Sequence, residues 1–362
     1  MQLTAQVKLK TTSQQCEALK RTLRTANAAC NYIAQRAFHQ RVFAQFPLHR
    51  LVYRDVRQTF GLAAQVVVRC ISKVSDAYKL GHETPRKFKS LGAIAYDRRI
   101  LSWHLEQGAV SIWTVAGRQR IPFACGPRQR ELLSGARGEA DLCYRRGAFY
   151  LCCACEVRTP EPIGTHGALG VDLGTVNLAV DSDGETYSGS AVEARRRTYA
   201  HRRRNLQRKG THAARRKLRK LAGRQARYQR NENHRISKRL VHKAQDTGRA
   251  LALEDLTGIR DRVTVRRRQR ARHANWSFGQ LRGFVEYKAQ RAGVPVVLVD
   301  PRHTSRTCPA CGHVDPANRP SQSRFSCVRC GCAGPADHIA AVNIAARAAV
   351  NPPMVPDTQP SA

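Results

Sequence analysis

The chain has 362 residues, room for two or three domains with sizeable cores, and its 63 Lys and Arg against 26 Asp and Glu leave a net charge of +37. That length excludes a peptide-scale scaffold, and that charge calls for a polyanion, with nucleic acid the default partner and a polybasic membrane-surface binder the competing one. No apolar run approaches the roughly 20 residues of a spanning helix and no signal peptide is legible, so the expectation is a soluble, cytoplasmic, nucleoid-associated protein with no membrane partner.

Residues 2–10 alternate as a strand, and Thr12 with Gln15 can box the start of a helix over residues 13–43. Cys16, Leu19, Leu23, Ala26, Cys30, Ile33 and Ala37 make its apolar stripe. A second helix is predicted over residues 62–78. From residue 88 to 157 the period changes to two, and the strands VSIWTV, RQRIPF, ADLCY and FYLCCACEV form a β-rich module. With the first strand it can close a small barrel into which the helices are inserted. Trp103, Trp113 and Tyr96 are read as core residues, with base stacking as the other use of such rings. Two prolines and two glycines in RTPEPIGTHG then mark a linker.

The stretch from Ala168 to Gly189 reads as strand, tight turn and strand, and carries Asp172 at the first strand end. Between Ala194 and Lys243 twenty Lys or Arg stand against one acid, Glu232, interrupted by Leu206, Leu218, Leu221, Tyr228, Ile236, Leu240 and Val241. A solvated face is the ordinary reading of a charge run. Here the ratio favours long helices that contact phosphates, through Arg195, Arg196, Arg197, Arg202, Arg203, Arg204, Arg215, Arg216, Lys217, Arg235 and Lys238. A shorter cluster adds Arg266, Arg267 and Arg268 on a loop before a helix over residues 276–291.

ALALEDL is a buried strand ending in Glu254 and Asp255, and VPVVLVD ends at Asp300. Cys308, Cys311, Cys327 and Cys330 follow as two C-x2-C knuckles, the spacing of one closed, structural tetrahedral Zn²⁺ site. Cys332 is a spare ligand or a bystander, and the remaining cysteines are read as small buried apolar residues. ADHIAAVNIAARAAV is a helix with Asp337 in its first turn, where an aspartate can simply cap. Together with Asp172 and Glu254 it can instead complete a site for two Mg²⁺ or Mn²⁺ ions that activate water and stabilise the departing oxygen of a phosphodiester. Asp255 and Asp300 are as easily loop caps as further ligands.

The motifs GVDLGTVNLAV, NHRISKRLV, ALEDL, VDPRHTSRTCPACGH and CVRCG running into ADHIAAVNIAAR resemble the transposon-encoded TnpB family, relatives of type V CRISPR effectors. The resemblance implies an α/β RuvC-like nuclease of RNase H fold with an inserted zinc ribbon, plus an N-terminal β-barrel carrying a helical insertion. Its domains would be a wedge-like barrel over 1–10 and 86–158, a recognition insertion over 11–85, a linker over 159–166, the nuclease over 167–303 and 335–350, the ribbon over 304–334 and a disordered tail over 351–362. By motif, Asp172, Glu254 and Asp337 become the catalytic acids of a metal-dependent endonuclease. A guide RNA from the transposon end would direct it to double-stranded DNA beside a short motif, with both strands cut at one site. The chain departs from the family at Ile339, where asparagine is usual, and at Ala336, where arginine is frequent. This predicts slower or more metal-sensitive cleavage.

Three rivals stand beside that reading: a guide-dependent repressor without cleavage, a strand-transferring transposase, and a compact type V CRISPR effector. The acid order D, E, D with the last acid after the ribbon disfavours the transposase. Three intact acids disfavour the repressor. Nothing in the sequence separates the last rival cleanly.

Overall fold

The computed structural model describes residues 1–135, 137–259, 270 and 277–350, and the chain divides into two compact units, Met1–Arg158 and Thr159–Ala362. Among the described residues no helix is long and apolar enough to cross a membrane.

The first unit opens with β1 (Gln2–Leu9), whose Ala5, Val7 and Leu9 point to the core while alternate residues face water. Thr12 and Gln15 form the reciprocal capping box that starts α1 (Ser13–Gln40). The stripe from Leu19 to Ala37 is buried as its period predicts. α1 stops three residues short of the expected end because Arg41 turns left-handed, φ 54°. The chain then folds back, and Phe43 stacks on Tyr78 and His82 at 4.7 and 4.3 Å between centroids.

A helix absent from the sequence reading, α2 (Gln45–Phe60), follows before α3 (Ala64–Tyr78). It buries Leu48, Val52 and Val56, with Leu51, Tyr53 and Phe60 packed partly buried beside them, and Pro47 sits in the first turn, where its missing N–H costs nothing.

The strands β2 (Ile94–Tyr96), β3 (Leu101–His104), β4 (Ala109–Thr114), β5 (Gly117–Ala124), β6 (Arg137–Arg145) and β7 (Ala148–Glu156) join β1 in one seven-stranded sheet, with α4 (Pro127–Ser134) inserted before β6. The order is β2-β6-β7-β1-β5-β4-β3. Its two edge strands, β2 and β3, are joined by only Asp97–Ile100, so the sheet must curl. Tyr96 Oη donates to the Trp113 carbonyl at 3.1 Å across that gap. Among the described residues no ladder pairs β2 with β3, so the expected barrel is a curled sheet with its seam unzipped. Tyr96 is fully buried, and Trp103 and Trp113 pack partly buried against the same core.

In the second unit β8 (Ala168–Asp172), β9 (Asn177–Asp181), β10 (Thr186–Ser188), β11 (Ala250–Glu254) and β12 (Val296–Val299) form a sheet in the order β10-β9-β8-β11-β12. β8, β11 and β12 run parallel, while β9 and β10 are antiparallel. Among the described residues the α-helices are α5 (Ser190–Lys209), α6 (His212–Asp246), α7 (Phe278–Ala292) and α8 (Ala336–Val350).

Alternation sorts the two faces. Leu169, Val171, Leu251 and Leu253 meet Ile236 and Leu240 of α6 and Leu281 and Val285 of α7. Ala250, Ala252, Val297 and Val299 meet Ile344 and Ala348 of α8 on the other side. A strand covered on both faces must be apolar at every position, which is why ALAL carries no alternation. Residues 159–166, read as a linker, have no helix or strand and are tied to the second unit: Ile163 N donates to Gly293 O at 2.8 Å and His166 N to Gly248 O at 3.0 Å.

α8 lies so close to β8 that a side chain at Gly170 would collide with the Ala341 carbonyl and come within 2.5 Å of Ala345 N. Those are backbone atoms and cannot give way. Gly170→Ala is therefore expected to cost about 3 kcal/mol or more, by the overpacking of a tight core, read as a lowered urea midpoint.

Candidate active site

Strand parity aims the acids. Asp172 shares the α8 face with Gly170, and Glu254 shares it with Ala252. Because Leu253 pairs with Val171 in a parallel ladder, Asp172 and Glu254 are the next pair at the carboxyl ends of adjacent strands, on the order of 5 Å apart in backbone. α8 supplies the third. Asp337, Ala341 and Ala345 are four residues apart and so share one helix face, and the last two straddle Gly170. Four helical residues advance about 6 Å and two strand residues about 6.6 Å. One step up each element from the Gly170 contact brings Asp337 to Asp172.

Electrostatics registers the convergence. Burial, then the charges of Glu254 and Asp337, push the Asp172 carboxyl up to about 8. Burial also raises Glu254, opposed by the hydroxyl of Thr304, which donates to Oε1 at 2.5 Å. Asp337 accepts from Asn177 Nδ2 at 2.9 Å and pairs with Arg319 of the cysteine-bearing segment at 3.3 Å. Arg319 opposes the upward shifts of Asp172 and Glu254, so one guanidinium serves all three acids. Three hard carboxylates in one partly desolvated recess are a donor set that suits Mg²⁺ or Mn²⁺. They are looser than the thiol cluster: among the described residues only the four cysteines bring their ligand atoms within 4.8 Å of one another.

Thr304, Arg319 and Asn177 were missed by sequence reasoning. Thr304 and Asn177 lie inside quoted motifs, but nothing in their spacing marks a contact with an acid. Arg319 lies midway between the knuckles with no spacing signal at all. Asp255 and Asp300 serve as loop caps, although the Asp300 charge also reaches Glu254 and helps to raise it. Asp255, held down to about 2 by the Thr257 hydroxyl and Arg282, accepts from Thr257, and Asp300 accepts from Arg302 N. Ala336 and Ile339 are buried against Cys308, Phe325 and Cys327, so at these positions the chain has apolar contact between α8 and the knuckles.

The two knuckles share one construction. Gly312 N bonds to Cys308 O and Cys308 N to His313 O; Gly331 N bonds to Cys327 O and Cys327 N to Cys332 O. Gly312 and Gly331 both take positive φ, 70° and 76°. Cys308 and Cys330 Sγ are 3.5 Å apart and Cys311 and Cys327 Sγ 3.7 Å. A tetrahedron with metal–sulfur bonds near 2.3 Å has edges of about 3.8 Å, so these four thiols could hold zinc. Burial opposes it, but the N–H groups of Cys311 and Ala310 and the neighbouring thiols bring the Cys308 thiol down to about 6. The strands β13 (Arg324–Ser326) and β14 (Ala333–Pro335) close the segment onto α8.

The basic helices pack as an antiparallel pair. Arg195 lies over the Tyr228 ring at 4.0 Å. Arg196 and Arg197 turn to Glu193, and Arg235 to Glu232, which makes these three weaker candidates for phosphate than the sequence implied. Arg202, Arg204, Arg215, Arg216, Lys217 and Lys238 are exposed, and Arg203 is half-buried. Arg266, Arg267 and Arg268 lie outside the described residues, as do residues 351–362, read as a tail.

The Asp172 shift sets a pH dependence. Its carboxyl releases its proton near 3.8 when unfolded but near 8 when folded, so the native state holds more protons between those values. Stability of the metal-free protein should fall as pH rises from about 4 to about 8, by a few kcal/mol, and Asp172→Asn should flatten the slope of the denaturation midpoint. Cys308→Ser should lower the zinc bound per chain, measured by elemental analysis, and destabilise the knuckle segment first.

Comparison with known proteins places the chain among characterised relatives. A family model described as "Cas12f1-like, TNB domain" matches residues 278–344, and one described as "Probable transposase" matches residues 150–258. The CRISPR-associated endodeoxyribonuclease Cas12f1 of Sulfoacidibacillus thermotolerans is 34% identical over 194 residues, 49% of this chain and 44% of that protein. The TnpB-like protein MJ0751 of Methanocaldococcus jannaschii is 35% identical over 129 residues, 35% of this chain and 45% of that one. These matches span under half the length of either relative. A solved Cas12f1–sgRNA–target DNA complex has the same fold over 90% of this chain and 82% of its own, with a TM-score of 0.62 at 15% identity. The mini-RNA-guided endonuclease CRISPR-Cas_phi3 gives 0.57 at 10% identity, over 98% and 93%.

Proposed function

This chain is a relative of the TnpB-like and Cas12f1 proteins, and from that premise we propose that it is an RNA-guided DNA endonuclease with one RuvC-like site at Asp172, Glu254 and Asp337. The observation that carries the reading is the meeting of those acids, distant in sequence, on one face of the sheet, where each perturbs the Asp172 proton. The sheet order β10-β9-β8-β11-β12, with β8, β9 and β10 an antiparallel meander and β11 and β12 parallel to β8, supports an RNase H-like fold.

The acids would bind two divalent cations, Mg²⁺ or Mn²⁺, which supply Lewis acidity to the scissile phosphate and its attacking water. Asp172 must give up its proton to serve, so a proton leaves for each site filled below pH 8. Asn177 and Arg319 each bond one oxygen of Asp337, and Arg319 would oppose the charge that builds on a phosphate held by the acids. The four thiols would hold one structural Zn²⁺ in a ribbon at the base of α8. The exposed cations of α5 and α6 would take the backbone of a guide RNA and its paired, initially double-stranded DNA target, with sequence read by base pairing. The curled sheet of the first unit would be the wedge-like domain, with α1–α3 as its recognition insertion.

A guide transcribed from the element's own end is the preferred source. A CRISPR-array guide is the second reading, supported by the Cas12f1-like match to residues 278–344 and by the Cas12f1 relative matched over 49% of the chain. Sequencing the RNA that co-purifies with the protein separates the two. With that RNA, target plasmid and Mg²⁺, the purified complex should cut both strands, and Asp172→Ala should lower cleavage by at least about 10³-fold, as for the loss of a metal ligand, while RNA binding is kept. Undiminished cutting by that variant would remove Asp172 from the chemistry.

A further inference from the structure

The loop between β12 and the first knuckle is held in an unusual way. Asn343 Nδ2, buried on α8, donates to the carbonyls of Thr304 and Thr307, both at 2.7 Å. One turn later Arg347 Nη1 donates to the carbonyls of Asp300 and Arg302 at 2.8 and 2.6 Å. Two side chains on one helix face thus satisfy four carbonyls of an eight-residue loop. Within it His303 is left-handed, φ 61°, and its carbonyl accepts from Arg306 N and Thr307 N at 3.0 Å and from Thr307 Oγ1 at 2.8 Å.

This scaffold presents one side chain inward. Thr304 is 2% exposed and Glu254 8%, and the Thr304 hydroxyl lies 2.5 Å from Glu254 Oε1. A glutamate carboxylate, at the end of two methylenes and three rotatable bonds, is not held in one orientation by its own chain. A buried hydroxyl whose backbone is clamped on both sides supplies one, engaging Oε1 and leaving Oε2 for another partner.

Resting on the reading of the three acids as a metal site, we propose that Thr304 is a positioning residue that fixes the Glu254 carboxylate for the cation. Asn343 and Arg347 transmit that placement from α8, the helix that also carries Asp337. Two of the three metal ligands are then set by one rigid element, Asp337 directly and Glu254 through the loop. The same loop runs straight into Cys308, so the closed knuckle anchors its far end.

The test is Mn²⁺ binding to the full chain, followed by the loss of the free-ion electron paramagnetic resonance signal, with thermal melting and zinc content in parallel. Thr304→Val keeps the shape and removes the hydroxyl. It should weaken Mn²⁺ by about tenfold, the usual scale for a residue that orients a ligand, while melting and zinc content stay near wild type, and Thr304→Ser should restore affinity to within about twofold. Unchanged affinity in Thr304→Val, or Thr304→Ser as weak as Thr304→Val, would overturn the positioning role. Glu254→Gln separates the two levels: if Mn²⁺ affinity survives it, the metal reading itself fails, whereas a loss there with none in Thr304→Val removes the role of Thr304 alone.

Discussion

The contact on which the rest of the second unit depends is the backbone of α8 lying against Gly170. It fixes the distance and the rotation of the helix relative to β8, because no side chain keeps the two apart. From that point the separation of the acids follows from the rise per residue of a helix and of a strand, which are nearly commensurate over one helical turn. The recess is a consequence of regular geometry, and it needs no strained backbone at the acids themselves. Charge is what the geometry leaves unsolved. Three carboxylates in one recess repel, and the protein answers with a retained proton on Asp172 and with Arg319 reaching in from between the knuckles.

That answer explains how the cysteine segment relates to the chemistry. It is inserted between β12 and α8 and touches the acids twice, through Thr304 at its entry and Arg319 between the knuckles, while Ala336 and Ile339 of α8 pack against the knuckles themselves. The substitution of apolar residues at 336 and 339 is coherent in this light. Their apolar surface seats the knuckles on α8.

Much of this was legible in the sequence because periodicity survives folding. The stripe of α1, the Thr12–Gln15 box, the alternating strands of the first unit and the unbroken ALAL run each specify an element without reference to anything distant. The acids could be picked out as charges at the ends of apolar strands and at a helix start. α2 was passed over although Leu48, Leu51, Val52, Val56 and Phe60 recur at helical spacing, because the arginines between them and a proline near its start masked the stripe. Thr304 and Arg319 were beyond reach, since a hydroxyl or a guanidinium acquires its partner only when chain segments 50 and 18 residues apart are brought together. At 159–166 proline and glycine report the lack of regular structure, and say nothing of the hydrogen bonds by which Ile163 and His166 reach the second unit.

The outer half of the α5–α6 pair has one more implication. Between Ala200 and Arg224 there are eleven Lys and Arg and no acid, and the apolar seam is little more than Leu206, Ala214, Leu218 and Leu221. Mutual repulsion there works against a thin hydrophobic contact, so the fold of this arm is underwritten by whatever counterions surround it. In dilute buffer added salt would firm the helices by screening like charges. Once a polyanion lies along them the sense reverses, because salt then competes with the very phosphates that keep the arm straight.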